Sequence, residues 1–99
     1  MNDRKRILMF GRRQESVDRV VRILEGVGFT VTSTLNDSVA IDLAGASSYD
    51  ALLIGEDVAQ AELRYVRAEA RKRTSSIPVV IVHSPESVLT QVKQAGINI

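Results

Sequence analysis

Cysteine is absent from the 99 residues, and histidine occurs once. The first absence excludes disulfides, thiolate chemistry and most structural zinc sites; the second excludes a histidine-rich metal centre. Tryptophan is missing too, and Phe and Tyr make up only 4% of the chain, so the core must be largely aliphatic. Charge of one sign is also lacking: the net charge is +1, which gives no electrostatic reason to expect nucleic acid. Long hydrophobic runs are missing as well. The longest purely apolar stretches are four or five residues, against the roughly 20 needed to cross a bilayer, so no membrane association is expected. "MNDRKR" leads into only four apolar residues before Gly11, which is not a signal peptide. What is present, 44% apolar and 25% charged residues, is the composition of an ordinary globular chain. The expectation is a single cytoplasmic domain over residues 1–99.

The chain alternates two periodicities. "RILMF" (6–10) is a short apolar run, and "SVDRVVRILEGVG" then sets Val17, Val20, Val21, Leu24 and Val27 at helical spacing and closes on glycine. Glu15 with Arg19 and Asp18 with Arg22 form i,i+4 pairs on its outer face. "FTVTSTL" (29–35) alternates and is β-branched, as suits a half-buried strand; Asn36 or Asp37 can cap a second helix carrying Ala40, Leu43 and Ala44. "ALLI" (51–54) reads as a fully buried strand. Ala59, Leu63, Val66 and Ala70 mark a third helix that exits through "TSS", and "IPVVIVH" (77–83) is another buried strand. "SPES" supplies an N-cap serine, a proline at the first helical position and a first-turn glutamate. Val88, Leu89, Val92 and Ala95 then face inward until Gly96.

Buried strands alternating with helices give an α/β fold with a parallel sheet covered on both faces. The turn after the first strand, "FGRRQES", lacks the G-x-G-x-x-G pattern of a dinucleotide-binding half, which leaves a flavodoxin-like sheet in 2-1-3-4-5 order. The functional crevice of such a sheet lies at the carboxyl ends of the first and third strands. Gly11-Arg12-Arg13 and Gly55-Glu56-Asp57 are therefore expected side by side, with His83-Ser84 next to them.

On "RILMFG", "LEGVGFTV", "NDSVAIDLA", "SYDALLIG", "IPVVIVHS" and "VKQAGI", in this order and spacing over nearly the whole chain, the sequence resembles the receiver domains of two-component response regulators. The resemblance implies a receiver-like fold. It also implies a degenerate active site. Receivers hold magnesium with two acidic residues after the first strand, and those positions match Gly11 and Arg12. The phosphoacceptor aspartate matches Gly55, and the Thr/Ser switch matches His83, with Ser84 one place on. The lysine after the fifth strand would fall beyond residue 99. The chain thus resembles a pseudo-receiver that is not an enzyme, needs no cofactor or metal, and acts through a protein partner in signalling.

Several readings of the charged residues stand beside this. Arg12, with Arg13, can neutralise Glu56 and Asp57 in place of magnesium, or all four can be solvated loop residues. Phosphoryl acceptance by Glu56 or Asp57 is disfavoured, because both sit past the strand end and no acidic pair remains. Gly11, Arg12 and Arg13 also form a candidate anion or nucleotide site, in which a glycine turn, two guanidiniums and helix N–H groups converge. His83 is read as a structural substitute for the switch residue, with base or phosphohistidine chemistry as the alternative. Arg64, Arg67 and Arg71 form a basic stripe along the third helix. It is read as a solvated face rather than a nucleic-acid contact.

Only "INI" (97–99) follows Gly96, so a truncated fifth strand and no fifth helix are expected: order 2-1-3-4(-5). In the complete fold the first and fifth helices cover one sheet face and the second, third and fourth the other. Losing the fifth helix should bare alternate residues of Val79, Val80, Ile81 and Val82, with Ile97 and Ile99 beside them. A homodimer or a partner domain is the expected cover.

Overall fold

The computed structural model describes residues 5–46 and 48–97. Four parallel strands, β1 (Arg6–Phe10), β2 (Thr30–Thr34), β3 (Ala51–Gly55) and β4 (Val79–Val82), lie in the order β2-β1-β3-β4. Helices α1 (Gln14–Gly26), α2 (Asp37–Ala46) and α3 (Gln60–Arg73) make the crossovers, and α4 (Val88–Gln94) follows a 3₁₀ turn at Pro85–Ser87. This is the flavodoxin-like, receiver-like α/β fold. Among the described residues no strand follows β4; Asn98 and Ile99 lie outside them.

The two central strands are apolar because both their faces are covered. Every residue of β3 is buried, as is β1 from Ile7 onward. Side chains alternate along a strand, so the core divides into two clusters. Ile7, Met9, Leu53, Val80 and Val82 pack with Val17, Val20 and Leu24 of α1 and with Val88 and Val92 of α4. Leu8, Phe10, Leu52 and Ile54 pack with Ala40, Ile41 and Ala44 of α2 and with Leu63, Val66 and Ala70 of α3.

The helix boundaries have local causes. Asn36 settles the capping choice for α2, its Oδ1 accepting from the Val39 N–H at 3.2 Å. Gly28 and Gly96, at φ 101° and 85°, follow the ends of α1 and α4 in the left-handed region that glycine tolerates. Ser84 caps the 3₁₀ turn, its Oγ accepting from the Ser87 N–H at 3.3 Å with Pro85 in the first turn.

Three inward positions differ from the helical reading. Val27 is 40% exposed because it caps α1 rather than continuing it. Ala59 and Ala95 are exposed caps of α3 and α4 for the same reason. The outer i,i+4 pairs of α1 are also replaced: Arg19 reaches across to Glu86 at 2.5 Å, and Asp18 accepts from Gln14.

The larger correction concerns α4. It lies on the face of α1, not with α2 and α3, and it buries Val80, Val82 and Ile97. The right-handed crossover rule fixes a helix that joins two parallel strands. α4 joins β4 to no further strand among the described residues, so burial alone decides its side. The apolar face that was expected to lie bare is thereby largely covered. Val79 and Ile81, on the opposite face, stay half-buried.

Candidate functional site

The carboxyl ends of β1, β3 and β4 converge on a cleft of about 310 Å³. Gly55, Glu56 and Asp57 line it together with Arg13, Ser16, His83 and Ser84. The register sets Phe10 beside Ile54 and Gly55 beside Val82, which is why the three strand ends meet.

Asp57 defines the site. The Val58 N–H donates to the Gly55 carbonyl at 3.1 Å, closing a tight turn, and Val58 itself is buried among the α2 and α3 side chains. That turn folds Asp57 back over the end of β1. Its carboxylate accepts from the Arg13 N–H at 2.8 Å and from the Arg12 N–H at 3.3 Å, close to the positive end of α1. The two buried glycines make room for it. A Cβ on Gly55 would come within 2.7 Å of Asp57 Oδ1, and one on Gly11 would stand 3.7 Å from the same atom and 2.7 Å from Val17 Cγ2. A side chain at Gly11 would have to push back the Val17 methyl, and one at Gly55 would have to displace the end of Asp57.

Arg12 does not neutralise Glu56 or Asp57 with its guanidinium. Its Nε donates to Glu62 Oε1 at 2.9 Å and its Nη2 to Glu62 Oε2, a bidentate pair. Nη1 donates to the Leu35 carbonyl at 3.0 Å, and the group lies 5.6 Å over the Phe10 ring. Arg12 therefore ties the β1–α1 turn to the end of β2 and to α3, with only its backbone serving Asp57. The expected partners lost to Glu62 because the turn at Gly55 aims Asp57 at backbone donors, while α3 presents Glu62 in its first turn.

The Gly11-Arg12-Arg13 turn does converge, but its backbone donors are taken by the Thr34 carbonyl and the Asp57 carboxylate; Arg13 also lines the cleft. His83 is exposed at the rim, and its backbone N–H donates to Gln91 Oε1 at 2.9 Å. Ser84 is engaged in the cap of the 3₁₀ turn. Among the described residues no three His, Cys, Asp or Glu side chains gather closely enough to hold a metal ion.

The basic residues of α3 fall into two sets. Lys72 and Arg73 pair with Glu69, at 2.8 and 3.3 Å, and the hydrogen bond from Lys72 leads in holding the Glu69 carboxyl below its ordinary value of 4.5. Arg64, Arg67 and Arg71 have no carboxylate within 4.0 Å among the described residues. Also among those residues, no helix is long and apolar enough to cross a membrane.

These features define a receiver-like sheet in which the chain's own Asp57 takes the backbone donors of the strand-end crevice. The comparison with solved structures agrees on the fold: the chain is similar to the receiver domain of the hybrid histidine kinase CckA, with a TM-score of 0.77 and 18% identity over 91% of this chain and 97% of that one. No family model matches the chain, and no curated protein matches it in sequence.

Proposed function

We propose that the chain is a cytoplasmic, non-enzymatic docking module that works in signalling through a protein partner and without phosphorylation. The observation that carries this reading is the Asp57 carboxylate lodged against Gly55 and held by the Arg12 and Arg13 N–H groups. In a phosphorylatable receiver the crevice gathers carboxylates around a metal, whose charge makes their mutual repulsion tolerable. Here backbone dipoles stabilise one carboxylate, and Arg12 is committed elsewhere. An acyl phosphate on Asp57 would require that carboxylate to leave both donors, with no acidic pair beside it to bring a cation. The fold shared with a kinase-associated receiver supports the signalling context.

The partner in this reading is another protein. A homodimer was expected on a bare sheet face and an unpaired strand edge; α4 covers most of that face, and the edge of β4 stays open.

Magnesium with beryllofluoride, or with a small phosphodonor, should leave the amide NMR spectrum and the intact mass unchanged. A mass increase of one phosphoryl group on Glu56 or Asp57 would refute the reading.

A further inference from the structure

The sheet has two outer strands, β2 and β4, and the edge of β4 is partly but not fully satisfied. The Leu52 N–H donates to the Pro78 carbonyl at 2.9 Å and the Glu56 N–H to the Val82 carbonyl at 3.0 Å. Even-numbered residues of this strand thus face β3, and Val79, Ile81 and His83 direct their N–H and C=O groups outward. Gln91 of α4 serves part of that edge. Its carboxamide oxygen accepts from His83 N–H while its Nε2 donates to the Ile81 carbonyl, and Ser87 Oγ donates to the same oxygen at 2.8 Å. One side chain stands in for one peptide unit of a neighbouring strand. The Val79 N–H and C=O and the Ile81 N–H have no protein partner among the described residues.

Helical spacing turns a row of positive charge toward this edge. The flank of α3 that bears Glu62 and Arg73 faces inward along the sheet, since Glu62 binds Arg12 and Arg73 lies against Gly45 of α2. At 100° per residue, Arg64, Arg67 and Arg71 project from the opposite flank, toward β4. Val79 and Ile81 lie half-buried against the cluster that includes Leu63, Val66 and Ala70 of α3.

We propose that the outer edge of β4 is a docking seat for an extended acidic segment of a partner protein, which adds as a strand and sets alternate carboxylates against Arg64, Arg67 and Arg71. Backbone hydrogen bonds would supply the affinity and the arginines the selection. Two competing occupants are disfavoured on physical grounds. A parallel strand reached through α4, which lies on the face of α1, would make a left-handed crossover, an arrangement found in only about 2% of such connections. Two copies joined antiparallel along β4 would bring their arginine rows together, like charge against like.

The inference rests on the reading of the chain as a docking module, but its test is separate: failure here would leave a docking module with a different surface, whereas phosphorylation would remove that reading itself. The probe is a short capped peptide of alternating glutamate and valine, titrated into the 15N-labelled chain. It should slow hydrogen exchange at the Val79 and Ile81 amides and weaken with added salt. Its affinity should fall about tenfold or more in the Arg64→Glu/Arg67→Glu/Arg71→Glu variant, and Ile81→Pro, which removes only an outward N–H, should lose it too. The arginine variant lies on an exposed helix face and keeps the test valid if Ile81→Pro does not fold. Equal binding of a lysine–valine peptide, binding without protection at Ile81, or no binding at millimolar peptide would each overturn the proposal. So would a β4-dependent dimer in light scattering, or a single-stranded oligonucleotide that binds the arginines in preference to the peptide.

Discussion

The strand-end crevice and the outer edge of β4 lie a few residues apart, and they treat their backbone donors in opposite ways. At the crevice, the N–H groups of Arg12 and Arg13 are both taken by Asp57, and the guanidinium of Arg12 is taken by Glu62 and Leu35. At the edge, Gln91 meets the Ile81 carbonyl and the His83 N–H, and the Ile81 N–H and both groups of Val79 are left to solvent or a visitor. Backbone donors already matched internally gain nothing from a ligand unless the ligand offers better partners. An edge that is half matched gains directly from one. The backbone donors in the region that resembles an active site by position are thus the occupied ones, and those in the region with no catalytic look are the receptive ones.

The sharpest way to break this contrast is to reopen the crevice. Gly11→Asp would restore an acid where receivers carry one, but its Cβ would meet Val17 Cγ2 and its carboxylate would face Asp57. We expect a loss of about 3 kcal/mol in chemical denaturation, from overpacking and an unpaired charge together. A variant as stable as the parent would mean that the crevice is roomier than its contacts imply.

A smaller effect tests which acid Arg12 serves. Arg12→Glu should cost about 2 kcal/mol, because it sets like charges together at a partly buried position. Adding Glu62→Arg should recover part of that loss, and adding Glu56→Arg should recover none. Recovery by the second pair alone would return Arg12 to the crevice.

The smallest effect belongs to the carboxylate itself. Asp57→Ala removes an acceptor from two N–H groups just ahead of α1 and should cost about 1 kcal/mol, in the range of a lost helix cap. No change in stability would show that water serves those donors equally well.

Much of this was written plainly in the sequence. The apolar runs at 6–10 and 51–54 became the two buried central strands, and the serine–proline signal at 84–85 became a formed cap. Adjacency of Gly11 and Gly55 followed from strand order alone. What the pattern did not carry was direction. Glu62 stands 50 residues from Arg12, and nothing in periodicity links a loop to the first turn of a helix so far away. The return of Asp57 depended on a turn anchored by Val58, a lone buried residue after two carboxylates. The side taken by α4 escaped because the helix was placed by the layering of the complete fold, whereas among the described residues it leads to no further strand.

Gln91 gives α4 a second role. The helix is seven residues long, shorter than α1, α2 or α3, and its hold on the sheet rests chiefly on Val88 and Val92, so it is expected to open at a lower free energy than the longer helices. Each excursion of α4 also withdraws the side chain that plugs β4. Fraying of the helix and lengthening of the available edge are therefore a single event, and the exchange rate of the His83 amide is its clock.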